Sequence, residues 1–299
     1  MKLKNKPAYD EHLEKLLKAI DDAPLNGEKR FFSKFADKEY YETQLMFAIR
    51  KRQAADYHLR NVRRHLRADL KAAQRAAARH TSDSSKKAAF SASVMTSNTE
   101  FVHELGAFLA AIRSGIDFVT VVATKSISGV QAHSIATLIK LTEEGKSAPV
   151  LDVVSSHLEW IGSIRDYRDE VVHRLVVAAP ASGWRVSHHG KTSVSTLPVV
   201  IPKKIPARAS DTRRSRMMEM EVPLGLNESR SHVSVTFDDG RTEVLAHSVS
   251  YSPAKGYVSI EKYMKDQLAS YDAFLSDVFE VLAHLKFQPA TKPLKLAKT

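Results

Sequence analysis

Apolar residues fall at helical spacing over most of the first 180 positions, and this pattern predicts the elements. Residues 8–22 carry Leu13, Leu16, Leu17 and Ile20 on one face, and Pro24, Asn26 and Gly27 then break the period. A second helical segment starts near Asp37 and runs to about His80. Its apolar positions thin out after Leu59, where alanine and arginine take over. A long Ala/Arg helix has high propensity and little to bury, so it is expected to project from the body or to lie against something acidic. Residues 81–97, rich in Ser, Ala and Thr, read as a flexible loop, and Ser97-Asn-Thr-Glu100 as a capping box. The next helix shows Phe101, Leu105, Phe108, Ile112, Ile116 and Val119 on one stripe, and Ser128-Gly129 ends it. A shorter helix ends near Gly145. Pro149 suits the first turn of another, predicted to run from 150 to 178 with Leu151, Val154, Leu158, Ile161, Val172 and Leu175 along its seam.

After Pro180 the period changes to alternation. Val233, Val235 and Phe237 lead into Asp239-Gly240 and then Val244, a hairpin signal, and residues 184–196 and 217–222 also read as strands. Helical spacing returns from Ser259 to Leu285, with Tyr263, Met264, Leu268, Tyr271, Phe274, Leu275, Val278 and Leu282. The fold class expected is mainly α: a helical bundle with a small antiparallel β insertion before the C-terminal helix. The boundaries read as an N-terminal helix and linker (1–36), a bundle with a basic long helix (37–180), a β-rich insertion (181–255) and a returning C-terminal helix with a short basic tail (256–299).

Composition sharpens this picture at three points. No cysteine occurs in the 299 residues, which excludes disulfides, thiolate metal sites and a thiol nucleophile. The first ten residues hold lysines and no apolar core of a signal peptide. The most apolar stretch, Phe101 to Val122, is interrupted by Glu104, Arg113 and Asp117, so it reads as a buried helix, and a cytoplasmic protein without a membrane span is expected. Net charge is +11, a surplus that attracts polyanions. It is unevenly spread. Between Arg50 and His80 there are ten Lys or Arg against two Asp. Arg60, Arg63, Arg64, Arg67, Lys71 and Arg75 are candidate contacts to RNA phosphates, joined by Lys203, Lys204, Arg213 and Arg214 of a second basic segment.

The densest chemistry lies in Arg165-Asp-Tyr-Arg168-Asp169-Glu-Val-Val-His173-Arg174. Arginine clamps a phosphate through parallel hydrogen bonds and keeps its charge, and histidine exchanges protons near neutral pH. Arg168 lies seven residues from Ile161 and four from Ile164 and Val172, a seam position where the pattern asks for an apolar residue. Asp169 and His173 are four apart and close enough to meet, so the carboxylate can orient the imidazole. The plainer reading is ordinary pairing of Arg165 with Asp169 and of Glu170 with Arg174, with His173 at a helix end. Five helical residues rotate by roughly 500°, which leaves Arg168 and His173 about 140° apart on an ideal axis. Two copies of the motif facing each other across a twofold axis would remove that difficulty.

The string Tyr-Arg-Asp-x-Val-Val-His-Arg, late in an amphipathic helix, resembles the RxxxxH motif of the HEPN superfamily. The resemblance covers the motif and, more loosely, the helices from about 97 to 178. It implies an all-α, dimeric, metal-independent endoribonuclease in which the RNA 2′-hydroxyl attacks its own phosphodiester. His173 would manage the proton, Arg168 the phosphate charge, and Asp169 the orientation of His173. No cofactor and no metal would be needed. A role in phage defence or a toxin–antitoxin system follows, with an antitoxin or regulatory protein as a partner. Asp169 departs from the asparagine that family members often carry there.

Other candidates fail on inspection. Gly190-Lys191-Thr192 lacks the glycine spacing of a P-loop and precedes a strand. His188-His189-Gly190 reads as a hairpin turn, without a third ligand at metal spacing. A different class of function also fits the basic surfaces: a helical scaffold that binds nucleic acid or a protein partner without catalysis.

Overall fold

The computed structural model describes residues 7, 9–22, 35–81, 90–97, 99–127, 130, 132–174, 181–189, 191–204, 225–236 and 240–284. Most of them are helical, and the strands form small antiparallel sheets. The helices are α1 (Tyr9–Asp22), α2 (Phe35–Thr81), α3 (Thr99–Ala123), α4 (Ile135–Glu143), α5 (Pro149–Ser156), α6 (Leu158–Arg174) and α7 (Ile260–His284). The strands are β1 (Phe90–Ser97), β2 (Ala181–His189), β3 (Lys191–Leu197), β4 (Val200–Pro202), β5 (Leu226–Thr236), β6 (Thr242–Pro253) and β7 (Tyr257–Ser259). The chain divides into two units, and α2, α3, α6 and α7 each give residues to both. The predicted strand at 217–222 lies outside the described residues.

The first unit comprises residues 1–57, 107–168 and 265–299. It is helical. The apolar positions read from the sequence are its core: Leu13, Leu16 and Ile20 of α1, Phe108, Ile112, Ile116 and Val119 of α3, and Tyr271, Phe274, Leu275, Val278 and Leu282 of α7 are all buried. Each large side chain moved out of water contributes about 2 kcal/mol. Polar residues of α3 have local duties. Asp117 accepts the backbone N–H of Ile135 at 3.0 Å, and Arg113 reaches Asp117 at 3.3 Å and Ser134 Oγ at 3.2 Å. Together with Ser134 as N-cap, they fix the start of α4. Arg52 of α2 and Asp272 of α7 form a two-pronged ion pair at 2.8 Å on each prong.

The helix predicted over 150–178 is two helices. α5 ends at Ser156, and His157 leaves helical geometry before α6 begins. His157 Nε2 lies 2.7 Å from Asp277 Oδ2, and its ring meets Phe274 and Trp160 edge-on. That contact to α7 and a Ser-Ser sequence of modest helix propensity account for the break.

The second unit comprises residues 58–106 and 169–264. Here β1, β2 and β3 form one sheet in that order, with Ala92 opposite Val186 and Val186 opposite Val194. β1 occupies the segment predicted as a flexible loop. Phe90, Ala92 and Val94 alternate with Ser91 and Ser93, a short strand pattern that the loop reading passed over, and eight paired positions along β2 hold the segment extended. Ser97 is the last residue of β1 and α3 starts at Thr99; Asn98 between them lies outside the described residues. β5 and β6 form the hairpin expected around Asp239-Gly240, with Thr236 opposite Thr242 and Gly240 at φ +82°. β4 pairs with β7.

The alanine-rich half of α2 belongs to this unit, and it packs on the sheet instead of projecting freely. Ala73, Ala76 and Ala77 pack on Trp184, Val186 and Val194 of the sheet. Small side chains let a helix approach a sheet closely, which explains the alanines where the pattern had lost its large apolar residues.

α3 with the turn after it (Thr99–Ser126) is long and apolar enough to cross a membrane by length and composition, at mean hydropathy 1.7 over its most apolar window, and 56% of that window is buried.

Within the first unit, α3 comes so near α7 that no side chain fits at Gly115. A Cβ there would stand 1.9 Å from Tyr271 Oη and 3.2 Å from Lys51 Cβ. Alanine favours a helix over glycine by about 1 kcal/mol, but overpacking costs about 1–3 kcal/mol. Gly115→Ala is therefore expected to lower stability in denaturant melts. Tyr271→Phe removes the clashing oxygen but leaves the ring carbon Cζ 2.9 Å from the added Cβ, so the double variant should recover only part of the loss.

Candidate nucleic-acid interface

Once alanines 73, 76 and 77 face the sheet, helical geometry sends the intervening arginines and lysine to the opposite side. Arg60, Arg64, Arg67, Lys71, Arg75 and Arg79 are all exposed. At 100° per residue they fall within an arc of about 120° along about 28 Å of helix. Ala68, Gln74 and Ala78 fill the other exposed places on that face. The sole acid between 58 and 81, Asp69, lies roughly 150° from the centre of the row. Such an array favours a polyanion, above all one with regularly spaced charges.

Arg63 departs from the other candidates. It is half-buried, and its Nε donates to Glu261 Oε1 at 2.8 Å, so its charge is partly spoken for. Arg63 and Arg67 line an open cavity of about 580 Å³ with Leu66, Leu70, Thr196 and Glu261. Ser259 Oγ accepts the N–H of Lys262 and caps α7 beside it. Lys203 and Lys204 are exposed in the turn after β4, where the Lys203 N–H donates to the Gly256 carbonyl at 2.7 Å. Arg213 and Arg214 lie outside the described residues.

The other side of this half-helix carries a polar arrangement that sequence reasoning missed. His58 Nδ1 lies 2.6 Å from Glu104 Oε2, and Asn61 donates to Glu104 Oε1 at 3.0 Å. These partners stand more than forty positions apart, so no local pattern marks them. They lock α2 against α3, because a half-buried carboxylate is costly unless hydrogen-bonded. A turn farther along, His65 stacks edge-on against Phe101 and stands 3.9 Å from Glu100.

The motif residues sit in the last two turns of α6. The buried arc of this helix runs through Ile161, Ile164, Tyr167 and Val171. Arg168 is half-buried on the same side of the helix. Tyr167, only 1% exposed, takes the inward position. A half-buried arginine buries its stem and keeps its head near water. Val171 lies against Gly106 of α3, where an added Cβ would be 3.3 Å from it. Asp169 is half-buried. Arg165 contacts Asp166 at 3.3 Å, a neighbour rather than the residue one turn on. His173 is within the helix, and its side chain lies outside the described residues. His188 bonds across its hairpin to Thr192 at 3.0 Å, as its place beside a turn implies.

Burial raises the Asp69 carboxyl above its ordinary value; Glu100 adds to the rise and His65 opposes it. Its ionised form therefore costs stability above the raised pKa, and the cost disappears below the unfolded value of about 4. Asp69→Asn is expected to raise the melting temperature at pH 7, with the gain shrinking to nothing as the pH falls below about 4. Paired melts across that range check it. Comparison of the chain with protein-family models, with curated proteins and with solved structures finds no match.

Proposed function

We propose that this chain is an RNA-binding, metal-independent endoribonuclease of HEPN type, built as a homodimer. The observation that carries the reading is the pair Arg168 and His173, five residues apart in the last two turns of α6, on a chain whose α2 exposes a row of cations. In this reading the 2′-hydroxyl of RNA attacks the adjacent phosphorus as it loses its proton. The P–O5′ bond breaks, and the departing 5′-oxygen takes up a proton. The products are a 2′,3′-cyclic phosphate, or the 3′-phosphate after hydrolysis, and a 5′-hydroxyl. His173 transfers protons at the reacting oxygens, and Arg168 stabilises the charge that builds on the phosphate. Asp169 orients the imidazole. Lys and Arg of α2 and of the 203–214 segment hold the backbone. Cellular work of this kind is performed in the cytoplasm, in phage defence or beside a neutralising antitoxin.

The exposed row of α2 also supports a plainer second reading, a scaffold that binds RNA and leaves it intact. Cleavage assays separate the two. Purified protein should cut RNA equally well with EDTA present. Arg168→Ala and His173→Ala should each lose on the order of a hundredfold or more, with His173→Ala the harsher. Both should keep wild-type circular dichroism. Intact RNA after hours with wild type, despite binding, would favour the scaffold.

The composite site also requires two copies. Light scattering at micromolar protein should report a dimer. A monomer that still cleaves would remove the twofold site from the mechanism.

A further inference from the structure

The row on α2 is built for one physical form of nucleic acid. Its six cations, Arg60, Arg64, Arg67, Lys71, Arg75 and Arg79, recur about every 6 Å along one continuous helix. The helix cannot bend to follow a ligand, because its other face is fixed to the sheet through Ala73, Ala76 and Ala77. Between the cations stand Ala68, Gln74 and Ala78, side chains small or slender enough to let phosphates come close. No aromatic ring lies on this face between residues 60 and 79. Proteins that hold single strands combine a charged groove with aromatic platforms on which bases stack, and each stacked base adds about 1–3 kcal/mol. From residue 60 to 79 this face offers charge and no platform; the nearest exposed ring on it is Tyr57, one turn before Arg60.

A flexible strand would also lose conformational freedom in lying straight along such a rod. A duplex is already straight over this length, about 28 Å or about eight base pairs, since its persistence length is about 150 base pairs. Duplex sugar–phosphate backbone therefore matches the row in shape, charge and stiffness. From this we infer that the exposed face of α2 binds double-stranded nucleic acid through its phosphates, without reading sequence. The inference rests on the nucleic-acid-binding part of the proposed function and not on cleavage. An A-form RNA stem and a B-form DNA duplex present the same chemistry here.

The test uses the full chain and probes that it cannot cut. They are a duplex of 2′-O-methyl RNA of about 20 base pairs, a DNA duplex of the same sequence, and the separated strands of each. At near-physiological salt at least one duplex should bind about tenfold or more tighter than its own strands, and the tighter duplex identifies the source. Each phosphate contact that the row makes predicts a slope of about −0.9 for log affinity against log salt on the duplex, so the slope should be steep. Arg64→Gln and Lys71→Gln should each make that slope shallower by about 0.9, while Arg64→Lys, which keeps the charge and the fold, should restore it. Scrambling the duplex sequence should leave affinity unchanged within about twofold. Strands that bind as tightly as duplexes would overturn the inference and leave the RNA-binding reading standing. Unchanged slopes in the glutamine variants would also overturn it, by placing binding elsewhere. Failure of every probe to bind would remove both.

Discussion

Three alanines set the terms for the candidate interface. Ala73, Ala76 and Ala77 lie on Trp184, Val186 and Val194. Alanine forfeits little rotamer entropy when buried and has the highest helix propensity, so a long helix can use it both to persist and to pack. The contact fixes the rotation of α2 about its axis. Every third or fourth residue then faces away from the sheet, and in this segment those residues are cations. The charge row follows from which face the sheet covers, and the same arginines on an unanchored helix would have no defined direction.

Large apolar residues made the helices legible in the sequence. Leu13 to Ile20, Phe101 to Val119 and Tyr263 to Leu282 kept a 3.6-residue period, and the residues that carried it are buried. Gly145 at φ +71° and Pro149 at the first position of α5 worked equally well as punctuation. Residues without a fixed preference defeated the reading. Alanine packs on a sheet or faces water with little difference in cost, so Ala73 to Ala78 did not reveal a partner. β1 owes its extended form to β2, a segment some ninety positions away. The break at His157 likewise depends on Asp277, 120 positions further along.

The candidate chemistry divides in the same way. The spacing 60, 64, 67, 71, 75 states a helical face outright, and those residues are exposed together. Arg63, one position before the row's second member, looked equivalent in sequence and is instead engaged by Glu261. Arg168, counted onto the seam from Ile161, is half-buried, and the fully buried positions around it in sequence are Ile164, Tyr167 and Val171. The His58–Asn61–Glu104 contacts depend on two helices meeting and carry no local signal.

The apolar character of α3 bears on how the chain comes to be folded at all. Its core partners include Tyr271, set against Gly115; Tyr271 belongs to α7, and synthesis reaches it 148 residues after α3 ends at Ala123. At ribosomal rates of about 5–20 residues per second, that leaves the α7-facing side of a membrane-like segment uncovered for on the order of ten seconds. Aggregation and binding by chaperones compete during that interval. Contacts so distant in sequence also slow folding relative to a bundle of local hairpins. For a chain of this design, cellular yield depends on the rate of late assembly as well as on final stability.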